Sequence, residues 1–373
     1  MKPLSVIYYA LKNRRKVISM AVSIGFSVAL IYSLHFITDE VIHANDLTGL
    51  NPLTHYSEVW GSEDGGTINP IIRQIIKNPD TDRTIPVNRQ QIFYISAVGG
   101  KYSVGVYSLK KTDMKYYMNR LKIKLIKGRL PIDGKKETVL DYRLAKNKGL
   151  HIGDRIGYSA DKKELQIKGS YRIVGFLGGE SISMLIPEQK VPLKPNEILV
   201  FHKQGRLLQS NSFLESLPKN QVNVSTYNLV MNALEKDSKD LKKLMNITVV
   251  MLIAILSISM GNASYINIFQ RRYEFGLLNS VGYSPVYILG KAFFEIAFLN
   301  FAGYLAGVIL TMFIAGLQYF FLFEPNGLVL RILIPEAMLQ TIAVPVFTTL
   351  FSIIPVSRMM KKIDPISIIE GVE

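Results

Sequence analysis

The chain has 373 residues, 48% of them hydrophobic, and carries 44 Lys and Arg against 29 Asp and Glu for a formal net charge of +15. It has no cysteine, which excludes a disulfide framework, thiolate zinc sites and a cysteine nucleophile at once. The apolar residues gather near the N-terminus and in the last third while the middle is as charged as a soluble domain, so two solvents are implied.

In segment 1–16, Leu4, Ile7, Tyr8 and Leu11 recur at helical spacing, which predicts an amphipathic helix lying in a membrane interface. The stretch 17–37, VISMAVSIGFSVALIYSLHFI, then runs without a charge for the roughly 20 residues needed to cross about 30 Å of hydrocarbon. Lys12, Arg14, Arg15 and Lys16 precede it as they would a signal peptide. The run is longer than a signal's apolar core, however, and no small-x-small cleavage pattern follows, so it reads as an anchor that stays. Within it Ala21, Gly25 and Ala29 repeat every fourth residue, a face on which another helix can approach closely.

The domain 38–243 mixes strand and helix signals: 91–96 and 102–109 read as strands, 141–148 as a helix, and 166–177 as alternating strands, giving an α+β class. Leu121, Ile123 and Leu125 alternate with lysines, as in a strand with one apolar and one solvated face. The domain holds 32 Lys and Arg against 22 Asp and Glu. Such a surface suits anionic headgroups or acidic polymers, and it lacks the aromatic-interleaved basic motif of a nucleic-acid binder. No Pro or Gly interrupts 39–46 or 232–244, where Leu234, Leu241 and Leu244 keep helical spacing. Both neighbouring membrane helices are therefore expected to continue outward as stalks.

Three more spans are predicted at 244–269, 292–323 and 334–356, making one span before the large domain and three after it. Arg271, Arg272, Lys291, Arg358, Lys361 and Lys362 flank their ends. With the N-terminal cluster, these place both termini and the loop 270–291 in the cytoplasm, and 38–243 and the short loop 324–333 outside. The tail is 357–373. Gly303 and Gly307 form a small-residue face in the third span, and Pro345 and Pro355 predict a kink in the fourth. Glu295, near the inner end of the third span, is either an intramembrane functional group or an ordinary i, i+4 partner of Lys291.

Enzyme readings fail on the residues. Ser-x-x-Lys occurs at Ser108, Ser159 and Ser216 without Lys-Thr-Gly, Ser-Asp-Asn or Gly-x-Ser-x-Gly. His35, His43, His55, His151 and His202 show no close ligand spacing, so neither a catalytic residue nor a metal site is expected.

The residues 270–288, QRRYEFGLLNSVGYSPVYI, resemble the cytoplasmic signature of FtsX-like, or MacB-type, ABC transporter permeases. Arg271, Arg272, Glu274, Gly276, Leu277, Leu278 and Gly282 occupy its places. GRLP at 128–131, ETVLDYRLAKNKGLHIGDRI at 137–156 and YRIVGFL at 171–177 resemble the family's periplasmic core, and DPISIIEGV at 364–372 its short cytoplasmic ending. The resemblance implies a bacterial plasma-membrane permease that pairs with a second permease, the same or different. Its cytoplasmic loop forms a coupling helix seated on a separate ATPase chain, which binds the ATP and Mg. This chain carries no Gly-x-x-x-x-Gly-Lys-Ser/Thr of its own, and no cofactor is expected on it. Arg271, Arg272, Glu274, Phe275, Gly276, Leu278 and Gly282 are the residues expected to couple to the ATPase, Glu274, Phe275 and Leu278 with the two arginines foremost. The implied activity is export or extraction of an amphiphilic peptide, lipid-linked molecule or antibiotic. The alternatives are signalling to an extracytoplasmic protein such as a wall hydrolase, and an anchored sensor independent of ATP.

Overall fold

The computed structural model describes residues 14–61, 69–157, 167–189, 195–328 and 334–360; the amphipathic segment around Leu4 to Leu11 and the motif at 364–372 lie outside these. The chain begins on α1 (Arg14–Asn45), which runs on through a π turn (Asp46–Leu50). Then come β1 (Tyr56–Gly61), α2 (Asn69–Lys77), β2 (Thr81–Ile95), β3 (Lys101–Leu109), α3 (Lys111–Arg120), β4 (Lys124–Gly128) and β5 (Glu137–Asp141). Next are α4 (Tyr142–Lys148), β6 (Arg155–Gly157), β7 (Ser170–Gly178), β8 (Met184–Pro187), β9 (Glu197–His202), α5 (Leu207–Glu215) and β10 (Val222–Ser225). The remainder is helical: α6 (Tyr227–Phe269), α7 (Arg272–Ser280), α8 (Pro285–Gln318) and α9 (Pro335–Met360).

Four helical stretches, Val17–Leu53, Tyr227–Phe269, Pro285–Phe323 and Pro335–Met359, are long and apolar enough to cross a membrane. This is a membrane protein with a large α+β domain between its first and second spans. Two compact units result. One comprises Met1–Thr38, Leu241–Gln318 and Arg331–Glu373, the other Asp39–Asp240 and Tyr319–Leu330.

In the helix unit, α1 and α8 cross where side chains are smallest. A Cβ added to Gly307 would lie 2.6 Å from the Gly25 Cα, and one on Gly303 would lie 3.1 Å from the Ala21 Cα. Ile24, Val28 and Ile31 of α1 pack with Val249 and Met260 of α6 and Val344 of α9. Polar groups cross-link the bundle where lipid would leave them unsatisfied. His35 meets Gln340 at 3.0 Å, Gln340 donates to Asn246 at 3.3 Å, and Asn300 donates to Thr349 at 2.9 Å. Pro345 and Pro355 both lie within α9.

The sheet unit is built on one mixed sheet in the order β10-β1-β9-β2-β3-β8-β5-β7-β4, with β6 added beside β7. β2 is the hinge of this order: Thr81 to Val87 pair with β9, and Asn88 to Ile95 pair with β3. One core, including Ile92, Tyr94, Val104, Leu140 and Leu144, takes in Ala44 from the end of α1 and Leu47 from the π turn. A second, including Tyr56, Tyr107, Tyr117 and Phe201, lies under α3.

Two expectations need correction. Leu121 to Leu125 do not form one alternating strand. Leu121 caps α3, Lys122 takes a left-handed φ of 53°, and the edge strand β4 that follows is exposed along its whole length. The two exits of the domain also differ. Met231 to Asp237 of α6 are largely exposed, as a stalk would be, whereas Glu40, Ala44 and Leu47 at the other end are buried in the domain itself.

Candidate functional site

The segment between the second and third spans folds as α7, a helix of nine residues flanked by turns that the sequence specifies. Gly282 ends it at φ +103°, a backbone conformation that side chains disfavour. Gly282 N–H donates to the Asn279 carbonyl at 3.0 Å and Tyr283 N–H to that of Leu278 at 3.1 Å. Ser284 caps α8 by accepting from the Tyr287 N–H at 3.3 Å, with Pro285 at the first helical position.

One face of α7 is buried. Phe275, 2% exposed, enters a core of Ile268, Ile288, Ala292, Ile296, Val356 and Met359, and Leu278 packs at its margin. Gly276 is buried beside it. The helix is further held by Arg271, whose Nη1 donates to Glu295 Oε1 at 2.6 Å and whose Nε donates to Glu274 Oε2 at 2.9 Å. Its guanidinium lies 5.2 Å from the centre of the Phe275 ring. The Arg271 and Glu295 side chains are 11% and 8% exposed, while Glu274 is 61% exposed. Burial works against the charged guanidinium, and the bonds and charges of Glu295 and Glu274 outweigh it, so Arg271 is held above the ordinary arginine value. Arg272 lies over the rings of Phe269 and Tyr273 at 4.5 and 5.1 Å.

The opposite face is open. Tyr273, Leu277 and Val281, spaced by four, are 52%, 62% and 70% exposed and form an apolar stripe beside the carboxylate of Glu274.

This arrangement reassigns several residues. Phe275 is expected from the sequence to face a partner, but it is spent on the chain's own core, as is most of Leu278; the open positions are Tyr273, Leu277 and Val281. Their i, i+4, i+8 spacing is the signal that could have found them. Arg271 turns inward to Glu295, and Glu295 pairs with Arg271 24 residues away rather than with Lys291, which instead lies over the Tyr287 ring at 5.7 Å. Among the small residues, Ala21, Gly25, Gly303 and Gly307 meet at the α1–α8 crossing, and Ala29 is buried further along α1. No group of three His, Asp or Glu among the described residues is placed to hold a metal ion.

The comparisons address this region directly. Residues 246–365, which contain the three last spans and α7, match the family described as FtsX-like permease C-terminal. This part of the chain is an FtsX-like permease domain. The family is a membrane component of ABC transporters, generally not itself catalytic, and implies an ABC ATPase partner in general. The crystal structure of the periplasmic region of MacB from Actinobacillus actinomycetemcomitans aligns with 51% of this chain and 97% of its own, at 13% identity and a TM-score of 0.30. No curated protein matches the chain.

Proposed function

We propose that the protein is the permease subunit of an ABC transporter in which a separate ATPase, holding ATP and Mg, seats on the open face of α7. Its motion would be passed to the sheet domain on the other side of a bacterial plasma membrane. The observation that carries this reading is that an FtsX-like permease domain fixes α7 by one buried face and one buried ion pair while leaving Tyr273, Leu277 and Val281 uncovered. A rigidly held helix with an apolar stripe and a rim charge suits docking in a partner's groove. Arg271, Arg272 and Lys291 around it, and Arg358 at the end of α9, support a cytoplasmic position for this side and for both termini. The cargo class proposed is an amphiphilic peptide, lipid-linked molecule or antibiotic, handled by a pair of permeases.

Purification of the tagged full chain in mild detergent tests this. Wild type should bring down a nucleotide-binding chain near one to one, and Leu277→Asp with Val281→Asp should lower its recovery at least tenfold with expression unchanged. Recovery of an ATPase equally by wild type and the double variant would remove the docking face. Recovery of none under several extraction conditions would remove the permease reading.

A further inference from the structure

The connection between α8 and α9 does more than reverse the chain. Tyr319–Leu330 falls within the sheet unit, and its contacts there are specific. The turn is internally built: Glu324 N–H donates to the Tyr319 carbonyl at 2.8 Å, Leu328 N–H to that of Phe323 at 2.9 Å, and the Asn326 side chain to that of Leu322 at 2.7 Å. It then meets the sheet domain along its length. Tyr94 O–H donates to the Gly327 carbonyl at 3.0 Å, Asn147 Nδ2 donates to that of Asn326 at 3.2 Å, and Lys146 pairs with Glu324. Leu328 packs on the core around Tyr94 and Leu144.

Two features show that the fit is tight. Gly327 has φ +66°, and a Cβ there would overlap the carbonyl oxygen of Arg143, so other residues are strained and without space. The receiving surface is itself braced. Asn147 bonds both the amide and the carbonyl of Ile95, at 2.9 and 2.8 Å, and Arg143 is held by Asp141 through two bonds of 2.9 and 2.8 Å. A connection that only joined two antiparallel helices would need two to eight residues and no such recognition.

We infer that the α8–α9 turn is a docked third linkage through which displacement of the last two helices reaches the sheet domain, alongside the chain passages in α1 and α6. This rests on the permease reading above. A turn gripped at its backbone and wedged at a glycine moves with its seat, because packed interfaces shift between discrete arrangements and do not deform continuously.

The test uses the full chain copurified with its ATPase and placed in lipid nanodiscs, with hydrogen exchange read across β2, β3 and α4. Tyr94→Phe combined with Lys146→Ala removes two contacts to the turn while leaving the Asn147–Ile95 bonds intact, and Gly327→Val wedges the turn out. Both should raise exchange at 92–95 and 142–148 in the resting state, which shows release. They should also cut the ATP-driven change in the sheet domain at least threefold, with ATPase recovery unchanged. The chain has no cysteine, so a K146C/E324C pair can be bridged by a short bifunctional thiol reagent without background; this locked form should respond as wild type does. Release of the turn with a full ATP-driven response would overturn the inference alone, as would a locked form that no longer responds. Absence of any ATP-driven change in wild type would overturn the permease reading and the inference with it.

Discussion

The pair Arg271–Glu295 offers a quantitative test of how α7 is held. Its atoms are 2.6 Å apart, and the two side chains are 11% and 8% exposed, so deleting one partner leaves the other's charge buried. Breaking a buried pair in this way costs about 3–5 kcal/mol, whereas an exposed pair contributes about 0.2–1 kcal/mol. Arg271 makes both kinds of contact at once, because its second acceptor, Glu274, is 61% exposed at 2.9 Å. Glu274→Gln is therefore expected to change stability by under about 1 kcal/mol, and Glu295→Gln by about 3 kcal/mol. Arg271→Met should cost more than either, since it also loses the Phe275 ring contact at 5.2 Å. The double variant Arg271→Met, Glu295→Met removes both charges together and should recover about 2–4 kcal/mol of the summed loss. The assay is thermal unfolding of the full chain in nanodiscs, read together with recovery of the ATPase. Equal effects of Glu274→Gln and Glu295→Gln, or strictly additive losses in the double variant, would refute the argument.

Gly307→Val should separate α1 from α8 and lower the unfolding temperature by several degrees, because the new Cβ meets Gly25 backbone; Gly316→Ala, which meets nothing within 4 Å, should be neutral by the same measurement. Glu197 is pushed up to about 8 by burial and by the neighbouring Glu58 carboxylate, against the pull of Arg89, and so stays protonated in the folded sheet where the unfolded chain has lost its proton. His202 is lowered to about 4 by burial, and its opposite effect is complete above about pH 6.5. Between pH 6.5 and 8 the folded state therefore holds the extra proton, and stability of the sheet domain should fall as pH rises; Glu197→Gln should abolish the fall. Trp60, the one tryptophan of the chain, pairs directly with Glu197 across β1 and β9 and reports this unfolding by its fluorescence.

What was legible in the sequence follows from which signals are local. Four long apolar runs, a charged middle and the flanking arginines are read along the chain, and the helix Tyr142–Lys148 announces itself through Asp141 as its cap and Gly149 at its end. The small residues of α1 and α8 were legible as faces, and their meeting required the fold. The order of the sheet was not legible, because β9 pairs with β1 and β2 across more than 100 residues and no periodicity encodes that choice. The early part of β2 lies outside the strand 91–96 expected from the sequence and contains Pro86, which the strand tolerates where β9 alone pairs with it. In α7 the sequence points to Phe275 and Leu278 but neither to the direction they face nor to the open Tyr273 and Val281. A helix nine residues long with apolar side chains on two faces does not reveal by itself which face its own chain covers.

That ambiguity resolves on one argument. Phe275 and Leu277 are both large and apolar and stand two positions apart, hence on different sides of α7. The chain supplies Ile268, Ile288, Ala292, Ile296, Val356 and Met359 around the first and leaves the second 62% exposed. Glu295 adds a second hold on the rotation of the helix, since Arg271 at its start bonds that carboxylate while lying against the inward-pointing Phe275 ring. A charge inside the third span thus has a structural reason to be there: it helps set which side of α7 stays open. Glu295→Gln should therefore lower ATPase recovery even at temperatures where the destabilised variant remains folded. Leu277→Asp should do the reverse of Phe275→Ala, losing the partner at unchanged unfolding temperature where Phe275→Ala loses about 3–5 kcal/mol of stability. Matching temperature losses for Leu277→Asp and Phe275→Ala would show that both faces are covered by the chain itself and that the ATPase docks elsewhere.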